Sequence, residues 1–165
     1  MAEPGRSPDY DSSEQLDHEQ AIQALLDGNR RYQTGSSCSK NPCPEKIDLE
    51  SGQAPFAAFI RCADSRVAPE IVFDQPLGSL FVCGVAGNIA TSEIVASLEY
   101  AVHALGTRLI VIMGHSSCGA VTAAFNHSGG PSDLPGRLPA LVDRITASIK
   151  PGPDRTESSL EQAIE

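Results

Sequence analysis

Apolar residues Ile22, Leu25, Leu26 and Tyr32 recur at helical spacing through HEQAIQALLDGNRRY, so the pattern predicts an amphipathic helix beginning after Asp17 and serving packing or a dimer contact. Residues 34–54 lose that period and read as loop, after which PFAAFI reads as a short buried strand. A short helical piece, PEIVFD, follows Pro69, and SLFVCGVAG has the apolar run of a second strand. Thr91 can cap a helix whose face is Ile94, Val95, Leu98, Val102 and Leu105, Gly106 ends it, and RLIVIM is a third strand. Past the loop HSGGPSDLPG, RLPALVDRITASI predicts another helix. Strands alternating with helices imply an α/β fold: a mainly parallel central sheet with flanking helices, whose ligands sit at the carboxyl ends of strands.

Composition narrows this only a little. The chain has 165 residues with the apolar and charged content of an ordinary globular protein, enough for one domain. Its net charge of −9 and scattered basic residues argue against a nucleic-acid surface. Residues 1–16 are polar and acidic and read as a disordered lead, without the features of a signal peptide or a mitochondrial presequence, so the expected location is cytoplasmic. No apolar run is long enough to span a bilayer. Residues 17–165 are expected to form a single domain. Five cysteines is an odd count for a secreted disulfide framework, so they are read as metal ligands, catalytic thiols or buried apolar groups.

The candidate chemistry lies in RCADSRVAPE and GHSSCGAV, each directly after a predicted strand. His115 and Cys118 are three residues apart at a strand-to-helix turn, which lets both face one metal, and Cys62 supplies a third soft ligand from a neighbouring strand end. A Cys2His set with an open fourth position is what a catalytic zinc uses, and its softness favours zinc over magnesium or calcium. Taken singly, a buried cysteine is usually a small hydrophobe and an Asp-x-Arg pair a structural ion pair. Two such segments at strand ends make the joint functional reading stronger. Cys38 and Cys43 have neither a histidine nor a second cysteine pair nearby and read as free thiols.

CADSR together with GHSSCG resembles the β-class carbonic anhydrases, and GNRRY, GQAPFAA, CADSRVAPEIVFDQ, VAGN, LEYAVHALG and VIMGHSSCGAV are similar to segments of that family. The resemblance implies reversible hydration of CO2 to bicarbonate at a Zn2+ held by Cys62, His115 and Cys118. It implies a dyad of Asp64 and Arg66, with Arg66 keeping Asp64 ionised so that it accepts a hydrogen bond from the bound hydroxide and is not itself protonated. Alternate residues of an extended segment share a face, which would bring Cys62, Asp64 and Arg66 together. In a closed arrangement of the family, Asp64 would instead be the fourth zinc ligand. Gln53, Phe81 and Tyr100 match a substrate pocket completed across a subunit interface, implying a homodimer or a dimer of dimers.

Two positions depart from the family pattern, Ser79 in place of an acid and Gly84 in place of an arginine. Losing both together removes a mutual ion pair without stranding either charge, leaving an expected side-chain-sized space at Gly84 and a buried site for any arginine restored there. Phe59 stands where a second, non-catalytic bicarbonate pocket would have tryptophan, so no such pocket is expected. The chain is also expected to lack the last strand and helix of longer relatives. These departures keep two alternatives open: a catalytically impaired zinc-binding paralogue, or a hydrolase of a CO2-like molecule such as COS or CS2.

Overall fold

The computed structural model describes residues 15–37, 52–127 and 134–149. Residues 1–14 of the expected 1–16 lead, Cys38, Cys43 and the C-terminal stretch after Ile149 lie outside the described residues.

Helix α1 (His18–Gln33) starts where its capping predicts: the Asp17 carboxylate accepts from the Gln20 amide at 2.9 Å, and the Gln20 side chain accepts from the Asp17 amide at 3.0 Å. The face it buries is Ala21, Leu25 and Gly28, while Ile22, Leu26 and Tyr32 stay exposed, so only Leu25 of the expected apolar stripe enters the core. The reason is a close approach. A Cβ on Gly28 would lie 1.8 Å from the Phe73 carbonyl oxygen, so the backbones touch where a side chain would hold them apart. Polar contacts lock this contact: Asn29 donates to the Val72 carbonyl at 3.0 Å, and Arg31 donates to the buried Asp74 carboxylate at 2.5 Å.

Strand β1 (Ala57–Cys62), short helix α2 (Pro69–Val72), strand β2 (Leu80–Val85), helix α3 (Ser92–His103) and strand β3 (Ile110–Met113) follow in the expected alternation. The sheet order is β2-β1-β3 with both pairings parallel. Central β1 is covered on both faces. Phe59 and Ala57 pack with Leu25, Phe73 and Val111 on one face, while Ala58 and Ile60 pack with Cys83, Leu98 and Ala101 on the other. Phe59 is fully buried against the Phe73 ring at 5.5 Å. In α3, Leu98 and Ala101 are buried, but Val95 and Val102 remain exposed. Helices α4 (Gly119–His127) and α5 (Leu138–Ser148) pair beside the carboxyl end of the sheet, and their core of Val121, Ala124, Val142 and Ile145 also includes Cys62 and Cys118.

Candidate metal centre

Because β3 pairs directly with β1, the segments leaving these two strands emerge side by side. One donor atom each from Cys62, His115 and Cys118 lies within 4.8 Å of the others, a group that can hold a metal ion. The Cys62 and Cys118 sulfurs are 3.8 Å apart and unbonded. Two thiolates about 2.3 Å from one tetrahedral zinc would sit about 3.8 Å apart, so the donor spacing fits that ion. His115 supplies a second sign of fit. Its Nδ1 pairs with the Ser116 carbonyl at 2.9 Å, the arrangement in which Nδ1 carries the proton and Nε2 is left with a free lone pair. That Nε2 is buried and has no hydrogen-bond partner.

The loops are shaped for these sulfurs. Gly87 occupies the third position of a turn closed by the Asn88 amide to the Val85 carbonyl at 3.0 Å, with φ +76°, and its own N–H donates to the Cys62 sulfur at 3.3 Å. The dihedral favours glycine, and a Cβ at Gly87 would in addition meet the Ile145 terminal methyl at 2.6 Å and displace it. Ser117, between the histidine and the second cysteine, is held in the left-handed region at φ 54°, and its carbonyl accepts from Arg66 at 3.4 Å. Burial opposes ionisation of Cys62, but the Gly87 and Asp64 amides, with His115 and Cys118, outweigh it and draw the thiol below its ordinary value. Cys118 goes the other way. Burial and the neighbouring Cys62 sulfur raise it, despite amides of Val121 and Ala120 at the start of α4.

Asp64 and Arg66 meet, but not by strand alternation. Strand β1 ends at Cys62, and the chain then turns so that the Arg66 amide donates to Asp64 Oδ1 at 2.9 Å while its Nε and Nη2 reach Oδ1 and Oδ2 at 2.9 and 2.8 Å. A carboxylate bound to its own backbone two residues on is a turn former, which a period-two reading of CADSR overlooks. With both oxygens engaged by Arg66, Asp64 is held well below the usual carboxylate range, and Oδ2 stands 3.8 Å from His115 Nε2. In this arrangement both Asp64 oxygens are engaged by Arg66.

A family model described as carbonic anhydrase matches residues 57–164. The chain belongs to the β-carbonic anhydrase family. It is 41% identical over 130 residues to carbonic anhydrase 2 of Mycobacterium tuberculosis, and equally to a carbonic anhydrase of Mycolicibacterium smegmatis. Each match covers 78% of this chain, which spans 63% of the relative's length. Among solved structures, the β-carbonic anhydrase CcaA is 30% identical with a TM-score of 0.57, covering 87% of this chain and 74% of that one. A Coccomyxa β-carbonic anhydrase in complex with acetazolamide aligns at TM-score 0.60 and 24% identity, over 87% of this chain and 66% of that one, a likeness of fold.

The remaining expected family positions are dispersed. Phe81 and Tyr100 are in ring contact at 6.2 Å, and Gln53 is exposed just before β1. Ser79 immediately precedes β2 and Gly84 is its fifth residue, about 16 Å away at strand rise, so acid and arginine at these positions of one chain could not pair directly. Nor is Gly84 buried. It is exposed, and the space above it holds the Arg61 guanidinium. Gly87, Ser117 and Arg61 are the residues that sequence reasoning passed over. The one available signal was VAGN, whose glycine precedes an asparagine, a pairing common in turns.

Proposed function

We propose that this chain binds one Zn2+ through Cys62, His115 and Cys118 and catalyses the reversible hydration of CO2 to bicarbonate and a proton. The observation that carries the reading is that His115 Nε2 is buried without a hydrogen bond, in a residue grouped with two sulfurs at zinc spacing. Zinc at such a site supplies Lewis acidity, lowering the pKa of water to about 7 so that a nucleophile for CO2 exists at neutral pH. The side chains do the rest. Arg66 keeps Asp64 ionised, so Oδ2 would accept a hydrogen bond from the O–H of the nucleophile and turn its lone pair toward CO2, while the proton that the water gives up leaves to solvent. The buried sulfurs of Cys62 and Cys118 and the apolar α4–α5 side exclude bulk water from the opposite flank.

Gln53, Phe81 and Tyr100 are proposed to line the CO2 pocket, with Gln53 serving the site of a second copy in a homodimer. Its exposure ahead of the amino end of β1, whose carboxyl end carries Cys62, supports that role. Dilution below the dimer dissociation constant should then lower activity together with mass. Free, ionisable ligand cysteines suit the reducing cytoplasm, and among the described residues no helix is long and apolar enough to cross a membrane. Stopped-flow CO2 hydration by the zinc-loaded chain tests the function. Turnover that disappears in His115→Ala is expected; stoichiometric zinc with no hydration would contradict it.

A further inference from the structure

Arg61 and Gly84 are register partners on β1 and β2, and both face away from the metal group, since Arg61 and Cys62 are successive residues of a strand. The Arg61 side chain folds forward along its own chain. A single nitrogen, Nη1, donates to the Cys62 carbonyl at 2.7 Å and to the Asp64 carbonyl at 3.1 Å, while Nε is buried without a partner. The guanidinium gets there by passing over Gly84, where an added Cβ would lie 3.5 Å from Nε and 3.6 Å from Cζ. Gly84 is not among the glycines with positive φ. Its backbone would accept any residue, so what limits the size of a side chain there is the guanidinium above it.

We propose that Arg61 is a positioning residue of the metal centre. It binds the two carbonyls on either side of Ala63 and thereby sets the path of the segment that presents the Cys62 sulfur and the Asp64 carboxylate, with Gly84 as the gap that admits it. The inference deepens the zinc reading above and rests on it for the identity of the metal. A carbonyl pair held by one cation resists the peptide rotations that would swing Cys62 away from His115 and Cys118. The arrangement also explains how a departure from the family pattern at Gly84 is accommodated. An arginine at 84 would compete with Arg61 for one space and place like charges together.

Because one nitrogen makes both bonds, Arg61→Lys should keep the function, whereas Arg61→Ala should lose it. Gly84→Ala should be tolerated, since 3.5 Å is ordinary contact, and Gly84→Leu should displace the guanidinium and reproduce Arg61→Ala. The swapped pair Arg61→Gly with Gly84→Arg puts a guanidinium back from the partner strand and should recover part of the loss.

Two readouts test this on the full chain. Zinc affinity by chelator competition should fall roughly 10–100-fold in Arg61→Ala, the usual effect of losing an outer-shell support. Amide hydrogen exchange in the metal-free chain should accelerate about tenfold or more at Ala63, Arg66 and Val67, with Leu98 and Ala101 unchanged, as for a local opening. Unchanged exchange at 63–67, or accelerated exchange with zinc affinity intact, would overturn the positioning role. A parent chain that shows the exchange response but binds no zinc would instead defeat the proposed function and leave the clip on Cys62 and Asp64 standing.

Discussion

Cys62 and Cys83 sit on neighbouring strands, on the same face of one sheet, both unpaired and both buried at 4% and 9% exposure. Cys83 pairs in register with Ile60, and Cys62 is the next residue of β1 on that face. Their chemistry diverges across that single step. Cys83 packs with Ala58, Ile60, Leu98 and Ala101, and burial raises its thiol despite a contact from Ser97. Cys62 is the last residue of β1, at the carboxyl end of the sheet, where the Gly87 and Asp64 amides beyond the strands converge on its sulfur. Burial therefore does not separate a cysteine packed in the core from one in the candidate metal group. The number of N–H groups aimed at the sulfur does, and the end of a parallel sheet supplies them.

The largest expected effect breaks the comparison at its reactive side. His115→Ala or Cys118→Ser should remove CO2 hydration and weaken zinc binding beyond the roughly 10–100-fold typical of outer-shell changes, as titrated by chelator competition. In the metal-free chain, alkylation should reach Cys62 before Cys83; the reverse order would remove the distinction between them.

Next is Asp64→Asn, which should leave zinc bound and lower kcat by about 100-fold, because an amide can donate where the carboxylate only accepted. The folded pKa of Asp64 is depressed, so whatever its pairing with Arg66 contributes is fully present above the ordinary carboxylate pKa and is lost only as acid drives pH down through the folded value. Turnover profiles should accordingly keep an inflection near neutrality in Asp64→Asn, displaced at most by loss of the neighbouring charge. Disappearance of the inflection would assign the titration to this carboxylate.

A smaller loss is expected from Gly87→Ala. The methyl must enter at positive φ and 2.6 Å from Ile145, destabilising the fold by roughly 1–3 kcal/mol in thermal melts and moving an N–H off the Cys62 sulfur. Ile145→Ala should relieve part of that increment when combined, as two groups in contact are not additive. Smallest is Cys83→Ala. It removes one buried sulfur from an apolar cluster and should cost about 1 kcal/mol, a few degrees in Tm, with activity unchanged.

The order of strands and helices was readable because each element carries its own period and its own punctuation: Asp17 and Thr91 cap α1 and α3, and Gly106, at φ +74°, follows α3. The convergence of Cys62, His115 and Cys118 was readable for a related reason, since adjacent parallel strands deliver their carboxyl ends to one place. What escaped depends on registers between strands and on backbone dihedrals. That Arg61 lies opposite Gly84 follows only from the β1–β2 pairing, and the inward direction of the Gly87 amide only from a turn with positive φ. The exposed Ile22 and Leu26 escaped because periodicity marks an apolar stripe without saying which edge of it meets a neighbour, a choice made here by the bare backbone of Gly28.

Zinc stoichiometry of the purified parent, Cys62→Ser and Cys83→Ser chains, measured by elemental analysis after dialysis against a weak chelator, tests the central claim most directly. The account predicts about one zinc per chain in the parent and in Cys83→Ser, and close to none in Cys62→Ser, because a hydroxyl does not replace a thiolate whose charge the surrounding amides stabilise. Full zinc in Cys62→Ser, or its loss in Cys83→Ser, would contradict it.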